Sequence, residues 1–179
     1  MTSDVEGEPS PGHTLGVAIE IPAPFGPELD AIRLRYSPGT LDMNAHVTVI
    51  APIDVDADVM DAVIRHLAQV AAQTEPFRLV LQGSGTFRPV SPVVFVNVAD
   101  GIAACEVLER RVRSGDMAVE SRFPYHPHVT IAHDLEPGVL DAAFEELSGY
   151  RASMQITSMS LHEHCGDEWR LVREFPFGA

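Results

Sequence analysis

Lysine is absent from this 179-residue chain: all twelve of its basic residues are arginine, set against 26 acidic ones, for a formal charge of −14. So acidic a chain repels polyanions at long range, which excludes tight nonspecific gripping of long RNA or DNA. A small anionic ligand remains compatible, because a few arginines suffice to make one cleft locally positive. Cysteine is scarce as well. Cys105 and Cys165 stand far apart in unlike contexts and form no disulfide framework, so both read as reduced thiols. No apolar run approaches the roughly 18 residues of a membrane span. The opening MTSDVEGEPSPG lacks the basic start and apolar run of a signal peptide. Residues 1–12 are therefore expected to form a disordered tail, residues 13–179 a single domain, and the protein a cytoplasmic monomer with no membrane partner.

What is present is an ordinary globular composition, 45% hydrophobic and 21% charged. Thr14–Ile21 reads as a strand, 24–36 as a helix stopped by Ser37-Pro38-Gly39, and HVTVIAPI (46–53) as a β-branched strand. Between Asp56 and Gln73, Val59, Val63, Leu67 and Val70 form one helical stripe. Strands follow at 77–87 and 92–98, a helix at 101–113, a strand at 126–133, and a helix from Pro137, a residue suited to a first helical turn, to Leu147. Two long β segments close the chain, Arg151–His164 and Glu168–Phe175, with Cys165-Gly166-Asp167 as the hairpin turn between them. The order β-α-β-α-β-β-α-β-α-β-β predicts an α+β unit.

Within that pattern lies an internal echo. His-Val-Thr-Val at 46–49 and His-Val-Thr-Ile at 128–131 lie 82 positions apart, each on a strand leading into a helix. Residues i and i+2 of a strand share a face. His46 and Thr48 thus project together, as do His128 and Thr130, with the aliphatic residues turned into the core. Were the two strands neighbours, two imidazoles and two hydroxyls would meet in one cleft. Cleavage of a phosphodiester needs such a set. A neutral imidazole takes a proton from the nucleophile while an imidazolium gives one to the leaving oxygen, and threonine hydroxyls donate to the non-bridging oxygens. Histidine's ordinary pKa near 6.5 allows one ring of each kind close to neutrality. The arrangement calls for no metal or other cofactor.

With its paired motifs, the chain resembles the 2H (two-histidine) phosphoesterase superfamily, which includes 2′-5′ RNA ligase-like proteins and cyclic phosphodiesterases. The likeness runs from about His13 to Phe177 and includes the motif separation, the GTF segment (85–87), FPYHPHVTIA (123–132) and the final EFPF (174–177). It implies a bilobal fold, two similar α/β lobes with antiparallel sheets around a central cleft, and His46, Thr48, His128 and Thr130 as the catalytic set. It also implies a metal-independent phosphoesterase acting on a 2′,3′-cyclic phosphate or related small phosphodiester, at a nucleotide or an RNA end. Two departures bear on substrate: Ala51-Pro52-Ile53 where relatives often carry an aromatic and Pro-Phe, and His133 where many carry arginine.

Around the motifs, Arg88 and Arg122 are candidates to clamp a phosphate bidentately. Tyr125 is a candidate to stack on a base, and His126, which shares parity with His128, to line the cleft. Phe123 could stack likewise but reads rather as core, His133 as a polar strand end, and Trp169 as packing within the last hairpin. His162-Glu163-His164, together with His126 and His128, raises a metal site as an alternative, although no helical His-Glu-x-x-His or cysteine pair accompanies them. The rival functions are 2′-5′ RNA ligation by the same histidines and a nucleotide-binding module without turnover.

Overall fold

The computed structural model describes residues 12–39 and 41–178. The expected tail, apart from Gly12, lies outside them. Eight strands form one antiparallel sheet: β1 (His13–Glu20), β2 (His46–Val55), β3 (Phe77–Thr86), β4 (Val93–Asp100), β5 (His128–His133), β6 (Arg151–Ile156), β7 (Ser158–Cys165) and β8 (Glu168–Pro176). Their spatial order is β6-β3-β4-β5-β2-β1-β7-β8, two four-stranded halves that meet where β5 lies beside β2. Four α-helices accompany them: α1 (Phe25–Tyr36), α2 (Met60–Ala72), α3 (Ile102–Val112) and α4 (Pro137–Leu147). Among the described residues no helix is long and apolar enough to cross a membrane.

Each half recruits two helices. α1 and α4 pack on the β3-β4-β5 half, while α3 lies against β2 and α2 against β8. One core runs through both halves and includes Leu15, Ile19, Leu67, Leu81, Leu108 and Met159, each at most 1% exposed. A smaller cluster of Val94, Ala132, Leu140 and Ala143 seals α4 onto β4 and β5. The turn from β7 to β8 falls at Gly166, whose φ of 68° suits glycine. Cys105 is buried, Cys165 partly so, and both are free thiols. Burial pushes the Cys105 thiol up to about 12.

Three expectations need correction. The segment 151–164 is two strands, broken at Thr157: β6 pairs with β3 at the outer edge of one half, and β7 pairs with β1 in the other. β5 begins at His128 rather than His126, because Pro127 has no N–H to give a ladder. The start of the second helix is a separate 3₁₀ turn, Ala57–Val59.

Candidate active site at the seam

The seam between the halves is centred on one pair, Val47 opposite Val129, in an antiparallel register. Antiparallel pairing keeps the sum of opposed positions constant, so His46 faces Thr130 and Thr48 faces His128. The two motifs are thereby related by a local two-fold axis, each histidine beside the other motif's threonine. Val47, Val49, Val129 and Ile131 are buried, whereas His46, Thr48, His128 and Thr130 are half-buried and line one cleft of about 530 Å³.

The histidines are held alike. His46 Nδ1–H donates to the Asn44 carbonyl at 2.7 Å, and His128 Nδ1–H to the His126 carbonyl at 2.7 Å. A carbonyl only accepts, so the proton is fixed on Nδ1 and Nε2 is left for the cleft. Upstream of His46, Asp30 of α1 accepts from both Arg33 (2.7 Å) and the Ala45 amide (2.8 Å), which clamps the α1–β2 connection. On the other side the His128 ring lies against Phe95, centroids 4.9 Å apart, and edge-on to Phe87 at 5.0 Å. The Phe95 ring occupies the space over Gly85, where an added Cβ would come within 2.4 Å of it. The glycine of the GTF segment thus admits an aromatic that backs His128.

Burial pushes both imidazoles below the ordinary histidine range, since the cation loses its hydration. The carbonyl bond on each ring opposes this. For His46, Arg33 and His162 add to the lowering while Glu20 resists it. For His128 the neighbouring charges are the His126 and His46 rings, which lower it. The two-fold relation is therefore broken electrostatically: Glu20 of β1 stands opposite His46, and Asn97 of β4 opposite His128.

The cleft has two chambers. The first holds all four motif residues and is walled by Trp169, whose indole spreads over Gly16 at 3.4 Å from where a Cβ would stand, with Arg33, His133 and Asp134 also on its lining. The second, about 540 Å³, is lined by Phe123, Tyr125, His126, Val90 and Arg113, among others. Thr48, Phe87, Ser91 and His128 belong to both.

Of the flanking candidates, His126 and Tyr125 reach the second chamber; the Tyr125 hydroxyl donates to the Thr48 carbonyl at 2.9 Å and so braces β2. Arg88 and Arg122 line neither chamber. Arg88 donates to Asp141 of α4 at 2.8 Å, and Arg122 stands over the Phe123 ring at 5.4 Å. The arginines on the chamber linings are instead Arg33, paired with Asp30, and Arg113, paired with Glu109; tertiary packing delivers them and no local motif announced them. Phe123 is 58% exposed on the chamber wall rather than core, and Trp169 is a cleft wall as well as a hairpin residue. The His162-Glu163-His164 run disperses: His162 Nε2 lies 3.4 Å from Glu20, Glu163 pairs with His13, and His164 rests on Trp169. Among the described residues no three His, Cys, Asp or Glu side chains converge as a metal site would need.

Comparison with known proteins agrees with this fold. A model of the 2′-5′ RNA ligase superfamily matches residues 21–168. A candidate phosphoesterase of Oceanobacillus iheyensis is 26% identical over 157 residues, covering 88% of this chain and 87% of its own. Crystal structures of E. coli LigT share the fold at 19% identity. The complex with 3′-AMP has a TM-score of 0.70 and covers 93% of this chain and 98% of LigT. The complex with ATP has a TM-score of 0.70 and covers 94% and 99%. The chain belongs to the 2′-5′ RNA ligase superfamily.

Proposed function

We propose that the enzyme opens 2′,3′-cyclic phosphates, or cleaves closely related small phosphodiesters, by general acid–base catalysis between His46 and His128. The observation that carries this reading is the two-fold register at the seam, which brings both imidazoles and both threonine hydroxyls to one chamber. Glu20 opposite His46 favours the charged form of that ring, and Asn97 offers His128 no such support. In ring opening, His128 takes the proton of the attacking water as its oxygen bonds to phosphorus. His46 gives its proton to the ribose oxygen as the P–O bond breaks. Thr48 and Thr130 donate to the non-bridging oxygens, where charge builds up. Arg33 lines the same chamber, close enough to His46 to lower its pKa, with its guanidinium paired to Asp30. LigT, which shares the fold, has been crystallised with 3′-AMP and with ATP, in keeping with a nucleotide ligand; in our reading its base rests against Trp169 on the wall of the first chamber.

The superfamily match also favours a second reading, the joining of RNA ends, which runs the same proton transfers with a 5′-hydroxyl in place of water. One assay separates the two. Incubated with RNA that ends in a 2′,3′-cyclic phosphate and with 5′-hydroxyl RNA, the enzyme is expected to give opened phosphomonoester ends in excess over joined product. A predominance of joined product would make ligation the primary activity. Binding without any product would leave a nucleotide-binding module.

The lowered histidine pKa values set the pH dependence. Because burial disfavours the cation, both rings of the free enzyme lose their protons below about pH 6.5. The productive form, with one ring charged and one neutral, then peaks between those two values. The kcat/KM optimum is expected on the acid side of about 6.5. A bound phosphate anion stabilises the imidazolium, so the kcat optimum should lie at higher pH. Initial rates from pH 4 to 9 check this, and an alkaline kcat/KM optimum contradicts it.

A further inference from the structure

Resting on the two-histidine reading above, we infer that the second chamber binds the exocyclic ester group of an acyclic phosphodiester, and that this group is apolar or aromatic. The chamber is continuous with the first through Thr48 and His128, whereas His46 lines only the first. A phosphate held among the four motif side chains therefore projects one substituent past His128 into the second chamber. The other substituent remains in the first, on the Trp169 side. With a cyclic phosphate the His128 side receives water. With an acyclic diester it holds an alcohol.

The chemistry of that alcohol follows from the walls. Phe123 and Val90 are 58% and 78% exposed, an apolar surplus left facing solvent at the rim. Phe87 and Tyr125 supply further ring surface. Several of the polar groups that could read the edge of a nucleobase are already engaged, with His126 and Ser91 also on the wall. Arg113 donates to Glu109 and to the Val119 carbonyl, Ser121 to the Phe123 carbonyl, and Tyr125 to the Thr48 carbonyl. What is offered to a ligand is chiefly carbon. A phenyl or alkyl body gains by burial there, whereas a group that must be hydrogen-bonded leaves its partners unmatched.

The step is balanced. The neighbouring ribose hydroxyl attacks phosphorus and passes its proton to His46. The bond from phosphorus to the exocyclic oxygen breaks, and His128 gives a proton to the departing alcohol. A cyclic phosphate remains in the first chamber, ready for the hydrolysis described above, in which each histidine takes the opposite role.

The test compares three substrates on one enzyme: 2′,3′-cyclic AMP, adenosine 3′-(methyl phosphate) and adenosine 3′-(benzyl phosphate). The wild-type kcat/KM for the benzyl ester is expected to exceed that for the methyl ester by about ten- to a hundredfold, the gain from burying a phenyl ring. In Phe123→Ser/Val90→Ser, two exposed positions whose change leaves the core intact, that ratio should fall close to one. Thermal melting of the variant checks that it is folded. Turnover of 2′,3′-cyclic AMP by the wild type with a benzyl-to-methyl ratio near one overturns the chamber assignment alone. An unchanged ratio in the folded double variant does the same. Inertness of the wild type toward all three substrates overturns the two-histidine reading, and the chamber assignment with it.

Discussion

Replacing His128 with alanine is expected to lower kcat toward 2′,3′-cyclic AMP by about two to four orders of magnitude, and His46→Ala by a similar factor. Each ring is the sole member of its motif able to move a proton, and each is already committed through Nδ1 to a backbone carbonyl, so that only Nε2 serves the substrate. Neither ring belongs to the hydrophobic core, and the valines beside them carry the packing. The losses should therefore appear in kcat with little change in melting temperature. The double variant should be scarcely worse than either single one, because removal of one member of an acid–base pair leaves the other without its function. Near-normal turnover by purified His128→Ala would refute its role. Loss of activity accompanied by loss of fold would move the residue from chemistry to structure.

The threonines carry the next largest expected effect. Thr48→Val and Thr130→Val keep volume and β-branching, and with them the fit to a strand, while removing the hydroxyl. If those hydroxyls donate to phosphate oxygens, each loss should cost about 10²- to 10³-fold in kcat, the scale of a deleted oxyanion donor. Serine at the same positions retains the donor and should restore most of the rate. A purely structural threonine gives the opposite pattern, with valine tolerated and serine the weaker substitute. Steady-state kinetics on the four single variants distinguishes the cases, and a loss confined to KM would point to ground-state binding instead.

Much of this site was legible in the chain. The period-two alternation of His-Val-Thr-Val and His-Val-Thr-Ile gives side-chain direction without any tertiary information, and strand parity is as expected, with Val47 and Val129 buried and the polar residues turned to the cleft. Helix α4 spans Pro137–Leu147 as the position of the proline predicts. The break at Thr157 is legible in the phase of the apolar alternation. Ala152, Met154 and Ile156 are the buried apolar positions before it, and Met159 and Leu161 the buried apolar positions after it, so the apolar alternation slips by one residue. A single long strand cannot bury both sets on one face.

Other parts were not legible, for a physical reason. Arg33 lies on α1, separated from His46 by the connection into β2, and Trp169 lies on β8, remote from both motifs; only tertiary packing brings the two side chains to the cleft. No local pattern encodes that proximity. The reverse holds for Arg88, whose position beside a strand end implied a phosphate clamp but whose guanidinium is drawn to Asp141 of α4. Phe123 followed the rule that large apolar residues are buried, a rule that fails where a ligand chamber opens to solvent. The asymmetry between Glu20 and Asn97 was likewise hidden, because it depends on cross-strand register.

The central claim is that two imidazoles distant in sequence share one anion-binding groove, and NMR titration of the histidine rings tests it without relying on turnover. In the free protein, His46 and His128 are both expected to titrate below the ordinary histidine range. Addition of inorganic phosphate should raise the pKa of at least one of them, and His46→Ala should shift the titration of His128. Two rings that titrate near 6.5, insensitive to phosphate and to each other's removal, would contradict the account.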